Sequence, residues 1–358
     1  MTRKYGVQSI GLIAPVIREG DDLAEIVTDI VLNSGINIED KDVIGITESI
    51  VARAEGNYVT IDEVAEEIRT MSNNADVIFV DRPIYSRNRF AMILKAIARA
   101  AGKKVYIYMP GIDEVGNVRN NHPFTKLNYD EYYQSIVENE GKECEIWKSL
   151  WNERETLEQA NIDDAFVIDA RMYFTTSNLP HEFCTLADIC KDKCDYGLYG
   201  SNKASEEMLK LFPSYDYSHI LVDTISNEIF EKTGKKVEVM IYGDGCFKDP
   251  VGGIWEFADP VVSPAYTQGL EGTPNELKLK NLADEKYARL NGRELSEAIR
   301  EQIKRKDSDL KGSMSSQGTT PRRYTDLLGS LMDLTSGSGD KGTPIVYVKG
   351  YFKNYGDN

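Results

Sequence analysis

The feature that most constrains this chain is a series of short apolar runs alternating with helix-like segments. Val43-Ile44-Gly45-Ile46, residues 76–80 and residues 105–109 are rich in β-branched and aromatic side chains and read as buried strands. Between them, residues 22–33 repeat apolar positions at helical spacing, and residues 60–71 open with a Thr-x-x-Glu capping box, Thr60 to Glu63. Residues 89–101 form an Ala-rich helical stretch ended by Gly102. Strand, helix and strand in this order make βαβ units with parallel pairing, so a mixed α/β (α+β) fold is expected.

Residues 5–17 read as a first strand rather than a secretory leader, because Gln8, Ser9 and Pro15 interrupt the apolar run and Arg18 to Asp22 follow it. From residue 120 to 194 the character changes to Tyr- and acid-rich sequence, with Trp147 and Trp151 on one helical face and four of the five cysteines. Residues 203–212 and 217–233 then read as helices, with Gly234 as a stop, and residues 236–242 as a strand. Residues 277–306 are mostly helical, residues 307–323 form a polar linker or phosphate-handling loop, and residues 345–348 form a last strand. The expected organisation is an N-terminal α/β part over 1–119, an insertion or subdomain over 120–194, and a C-terminal part over 195–358. The N- and C-terminal parts form two intertwined or adjacent subdomains.

At 358 residues, 41% of them apolar, the chain can bury a substantial core. A formal net charge of −16 disfavours a broad grip on nucleic acid or an anionic membrane, so any anionic ligand must be held locally. No run approaches the roughly 20 apolar residues of a membrane span. Five cysteines in so long a chain argue against a disulfide framework and for a reducing cytoplasm.

Four places carry candidate chemistry. The strand ending in Gly243-Asp244-Gly245 delivers a carboxylate between two glycines, followed by Lys248 and Asp249. Hard divalent cations take oxygen ligands and bridge carboxylates to phosphates, so Asp244 is a candidate ligand for magnesium or manganese; a plain Gly-Asp-Gly turn is the ordinary alternative. Asp284-Glu285 on a probable helix is either a second carboxylate site or a solvated face. Ala54-Glu55-Gly56-Asn57 is a ligand-facing turn or a surface one. Tyr196-Gly197-Leu198-Tyr199-Gly200-Ser201-Asn202-Lys203 offers amides, a hydroxyl and a cation ahead of the helix expected from residue 203, a junction that suits phosphate or serves as an N-cap. His181, Cys184, Cys190 and Cys194 group soft ligands that could hold zinc or an iron–sulfur cluster, or are buried hydrophobes. Gly102-Lys103-Lys104 and Gly234-Lys235-Lys236 lack the glycine loop of a Walker A motif, and three histidines leave few candidates for a His-based mechanism.

In order along the chain, Gly20-Asp21-Asp22-Leu23, Ala52-Arg53-Ala54-Glu55-Gly56, Gly197-Leu198-Tyr199-Gly200-Ser201-Asn202, Gly243-Asp244-Gly245, Ala283-Asp284-Glu285 and the closing Pro344 to Gly350 resemble the gamma-glutamyl ligases of coenzyme F-420 biosynthesis. The match covers residues 10–60, 195–290 and the last strand. The family's aspartate falls on Tyr199, its Ser-Lys on Ala52-Arg53, and its threonine on Gly245.

The resemblance implies a divalent-metal-dependent ligase that uses GTP to add L-glutamate to a small carboxylate substrate through an acyl phosphate. It implies a metal on Asp244 and Glu285, and catalytic roles for Asp244 and Lys248. Nucleotide contacts would fall on Glu55, Gly56, Gly197, Ser201, Asn202 and Lys203, and the protein would be a homodimer. The three departures keep open a second expectation, a nucleotide- or metabolite-binding module of the same fold that has lost turnover.

Overall fold

The computed structural model describes residues 5–83, 85–87, 89–112, 119–120, 126–148, 165–170, 182–244, 247–248, 255–256, 261–275, 277–306, 322–337 and 339–357. It divides into two compact units, the first built from residues 1–54, 215–243 and 260–358, the second from residues 55–214 and 244–259. The elements that matter run in chain order as β1 (Gln8–Leu12), α1 (Leu23–Asn33), β2 (Val43–Thr47), α2 (Glu48–Glu55), β3 (Tyr58–Thr60), α3 (Ile61–Met71), β4 (Val77–Asp81), α4 (Phe90–Ala100), β5 (Lys104–Tyr108), α5 (Tyr129–Asn139) and β6 (Glu143–Trp147). They continue as β7 (Phe166–Asp169), β8 (Phe183–Thr185), β9 (Asn202–Ser205), β10 (Met208–Lys210), α6 (Tyr215–Thr233), β11 (Glu238–Asp244), β12 (Phe247–Lys248), β13 (Trp255–Glu256), β14 (Val261–Val262), α7 (Gly292–Lys304), α8 (Tyr324–Ser336) and β15 (Ile345–Lys349). The expected mixed α/β class is what the chain adopts.

The first unit holds a sheet in the order β1-β15-β2-β11-β14, in which β2 pairs β11 in parallel and β15 lies antiparallel to both β1 and β2. Successive side chains of a strand point to opposite faces, and here they sort into two cores. Ile44, Ile46, Val239, Ile241, Ile345 and Tyr347 pack with Val27 of α1 and Val222 and Ile225 of α6. Their neighbours Val43, Met240, Tyr242, Val346 and Val348 pack with Leu328 and Met332 of α8. Gly45 sits on the α8 face, where a Cβ would lie 2.1 Å from the Met332 sulfur. Asp22 caps α1 by accepting from the Glu25 amide, and Gly234, at φ 70, ends α6.

The second unit holds two sheets of its own. The larger runs β6-β5-β4-β7-β8 with every pairing parallel, so its strands count 3-2-1-4-5 in chain order, the order of a doubly wound α/β sheet. β6, β7 and β8 come from the stretch expected as an insertion and extend the sheet begun by β4 and β5. Trp147 ends β6 and packs edge-on to Phe79 and Tyr106, so it belongs to a strand rather than to the expected helical face; Trp151 lies outside the described residues. The Thr60–Glu63 capping box is present in full, the Thr60 hydroxyl accepting from the Glu63 amide and the Glu63 carboxylate from the Thr60 amide.

The smaller sheet, β3-β10-β9, replaces the helix expected over residues 203–212. β10 pairs with β3, placing Leu209 opposite Val59, and both side chains are buried. A pairing across 150 residues of chain outweighs the local helical spacing.

Candidate functional site

Two of the sequence motifs meet in the second unit. Glu55 closes α2, and its carboxylate accepts from the Ser214 amide at 2.9 Å and from the Ser214 hydroxyl. Gly56 follows with φ 77, a left-handed conformation that favours glycine, and turns the chain into β3. Asn57 then donates from its Nδ2 to the carbonyls of Phe212, at 2.7 Å, and Lys193, at 3.1 Å.

The Phe212–Ser214 stretch that receives this turn also receives the Gly197–Asn202 segment. Gly200 has φ 71, and a Cβ there would stand 2.1 Å from the Phe212 ring. Gly197 has φ 54, and its Cβ would meet the carbonyl oxygens of Leu186, Ala187 and Ile189 at 2.5–2.6 Å. Both glycines therefore have a packing reason. The Ser201 hydroxyl is fully buried with no hydrogen-bond partner among the described residues. Asn202 opens β9, donates to the Gly200 carbonyl at 3.3 Å and accepts from Arg89 Nε at 3.4 Å. Lys203 pairs with Glu206 at the surface. Since a strand and not a helix follows, no helix N-terminus backs this segment. Tyr199 is buried.

The remaining candidates are dispersed. Asp244 is the last residue of β11, its strand lying parallel to β2; its side chain, like that of Lys248 in β12, lies outside the described residues. Glu285 lies in the first unit on the single π-helical turn Leu282–Lys286 and is exposed, as is Asp284. Among the described residues no three His, Cys, Asp or Glu side chains gather to hold a metal ion.

The cysteine cluster lies partly outside the described residues, at His181. Cys184, Cys190 and Cys194 are buried free thiols. Burial pushes all three up, Cys194 to about 11. Cys194 donates to the Gly197 carbonyl at 3.4 Å, so this cysteine braces the turn that carries Ser201 and Asn202.

Sequence reasoning passed over a third feature of the second unit. Asp81 and Asp169 end the neighbouring parallel strands β4 and β7, are register partners, and are 4% and 1% exposed. Both apolar strands end in an aspartate, Val77–Asp81 and Phe166–Asp169, and that was the available signal.

The fold and these residues define an α/β protein whose polar groups collect at strand ends and tight turns, as in enzymes that bind small charged ligands. The chain belongs to the F420-0:Gamma-glutamyl ligase family, whose model matches residues 11–350. That makes it a member of a ligase family of coenzyme F-420 biosynthesis, and the match runs through the stretch from β4 to β8 that the motifs alone did not reach. No curated protein matches the chain. No helix among the described residues is long and apolar enough to cross a membrane.

Proposed function

We propose that this chain is a GTP- and divalent-metal-dependent gamma-glutamyl ligase that joins L-glutamate to a small carboxylate-bearing metabolite of the F-420-0 type. The observation that carries the reading is the family match over residues 11–350, which contains every motif residue named above. It is supported by the packing of the Glu55–Asn57 and Gly197–Asn202 turns against one stretch, Phe212–Ser214.

In this reading a carboxylate oxygen of the metabolite attacks the γ-phosphorus of GTP and GDP leaves. The glutamate amine then attacks the acyl carbon, phosphate departs, and the nitrogen gives up a proton as the amide forms. Phosphoryl transfer of this kind needs positioning and charge neutralisation more than a protein nucleophile. Asp244 and Glu285 would hold magnesium or manganese. Their oxygen donors suit a hard cation, and exposed Glu285 needs no rearrangement to meet water or phosphate. When bound, the metal would neutralise phosphate charge. Asn202 and Ser201 offer hydrogen-bonding groups to the nucleotide, Lys203 and Lys248 offer cations, and Glu55 can exchange Ser214 for a ligand. A homodimer in the cytoplasm completes the reading.

Buried Tyr199 in place of an aspartate favours one competing reading, a nucleotide- or metabolite-binding module without turnover. Thermal unfolding of the purified chain with GTP or ATP, with and without manganese, tests the shared part. Metal-dependent stabilisation by GTP that Asp244→Ala abolishes is expected; no shift with any triphosphate would sink the ligase reading and leave the metabolite-binding module.

A further inference from the structure

In the first unit an open cavity of about 490 Å³ lies beside the start of β1 and the end of β15, a volume in the range of small-molecule sites. Its lining side chains are Tyr5, just ahead of β1, Gln8 at the start of that strand, Glu39 from the loop before β2, Lys349 at the end of β15, and Lys353 and Asp357 beyond it. None of the residues given a role in the ligase reading lines it.

The lysines are matched by carboxylates. Glu39 pairs with Lys349 at 3.0 Å and with Lys353, and Lys349 also reaches buried Asp42 at 3.2 Å. The remaining lining groups are uncommitted. Asp357 is exposed and has no ion-pair partner among the described residues; its Oδ2 accepts from the Asn354 amide at 2.7 Å, and its Oδ1 accepts from none of them. The turn that carries it is anchored, since the Gly356 amide donates to Asn354 Oδ1 at 2.8 Å and the Tyr355 hydroxyl donates to Ser296 of α7 at 3.2 Å. Gln8 is the register partner of Lys349, so the two side chains share one face of the sheet. The exposed side chains of Gln8 and Tyr5 bond to none of the described residues.

We infer that this cavity binds a small aliphatic primary amine as its ammonium ion. An ammonium group has three N–H donors and no acceptor, and the uncommitted groups here all offer acceptors: the Asp357 carboxylate, the Gln8 carbonyl and the Tyr5 oxygen. The Tyr5 ring adds the attraction of an aromatic face for a cation. Charge decides against an anion. With both lysines facing Glu39 and Asp42, the unmatched charge of the lining is that of Asp357, and a chain of net charge −16 draws cations. The apolar stems of Lys349 and Lys353 give the carbon chain of the amine a wall to lie on.

Titration of the full chain with butylamine, butanol and butyrate, followed by ligand-observed NMR at one ionic strength, tests this in wild type, Asp357→Asn, Tyr5→Leu and the control Asp223→Asn. Asp223 is exposed on α6 and does not line the cavity. Wild type should bind butylamine saturably and about tenfold more tightly than butanol or butyrate. Asp357→Asn should weaken butylamine about tenfold and Tyr5→Leu about threefold, whereas Asp223→Asn should leave it unchanged.

The proposal is overturned if butylamine binding does not saturate, if butanol or butyrate binds as tightly, or if Asp357→Asn and Asp223→Asn have equal effects, which would mark a general attraction to an acidic chain. All three substitutions fall on exposed side chains, so each variant reports on a folded protein. No nucleotide or metal is present, so the outcome is independent of the ligase reading.

Discussion

The sheets of the two units bury carboxylates at opposite ends of their parallel strands. In the first unit Asp42 precedes β2 and Glu238 begins β11, both at amino ends. Asp42 accepts from the Tyr347 hydroxyl at 2.7 Å, Lys349 Nζ at 3.2 Å, the Gly350 amide at 3.1 Å and the Glu39 amide at 2.9 Å. Glu238 accepts from the Thr267 hydroxyl at 2.5 Å. In the second unit Asp81 and Asp169 stand at carboxyl ends, and Asp244 likewise ends β11. An acid ringed by donors from its own unit is architecture, whereas strand carboxyl ends are where α/β sheets receive ligands. The comparison teaches where to look for chemistry when motifs are weak.

The largest effect should come from Asp42→Ala, which strands the Tyr347 hydroxyl, the Gly350 amide and a lysine that loses one of its two acidic partners. A loss of about 3–4 kcal/mol in urea unfolding is expected, and a loss below about 1 kcal/mol would break the assignment of amino-end acids to architecture. Gly200→Ala should cost about 3 kcal/mol, since it combines a left-handed φ with a clash against Phe212. Gly234→Ala, at φ 70 but with nothing within 4 Å of its Cβ, should cost only about 1 kcal/mol. Equal losses at the two glycines would show that conformation alone matters. Thr60→Ala removes half of the α3 capping box and should cost about 1 kcal/mol by the same unfolding measurement.

The smallest effect concerns pH. Hydrogen bonds from Lys353 first and Lys349 next hold Glu39 down, from 4.5 to about 2. A carboxyl lowered on folding contributes stability above its ordinary pKa and loses it as pH falls through the folded value. The stability difference between wild type and Glu39→Gln should thus be steady above about pH 5 and vanish near pH 2; a difference that grows on acidification would contradict the pairing.

What the sequence made legible was local. The helical periodicity of residues 22–33, the Thr60–Glu63 box, the Gly234 stop and the apolar runs of β2, β4, β5 and β15 each rest on residues a few positions apart. The β3-β10-β9 sheet did not, because the local spacing at residues 203–212 also suits a helix and only pairing with distant Tyr58–Thr60 decides against it. The 3-2-1-4-5 order is likewise a property of contacts between strands, which is why residues 120–194 read as an insertion. Motif reading found the turns on Phe212–Ser214 because glycines mark them. It passed over Asp81 and Asp169, whose adjacency depends on β4 pairing with β7.

The account stands most directly on one reaction. Purified chain incubated with F-420-0, L-glutamate, GTP and manganese should yield a product heavier by one glutamyl residue in mass spectrometry, with one GDP formed per amide and no product from Asp244→Ala. GTP binding with no glutamyl adduct and no GDP would contradict it.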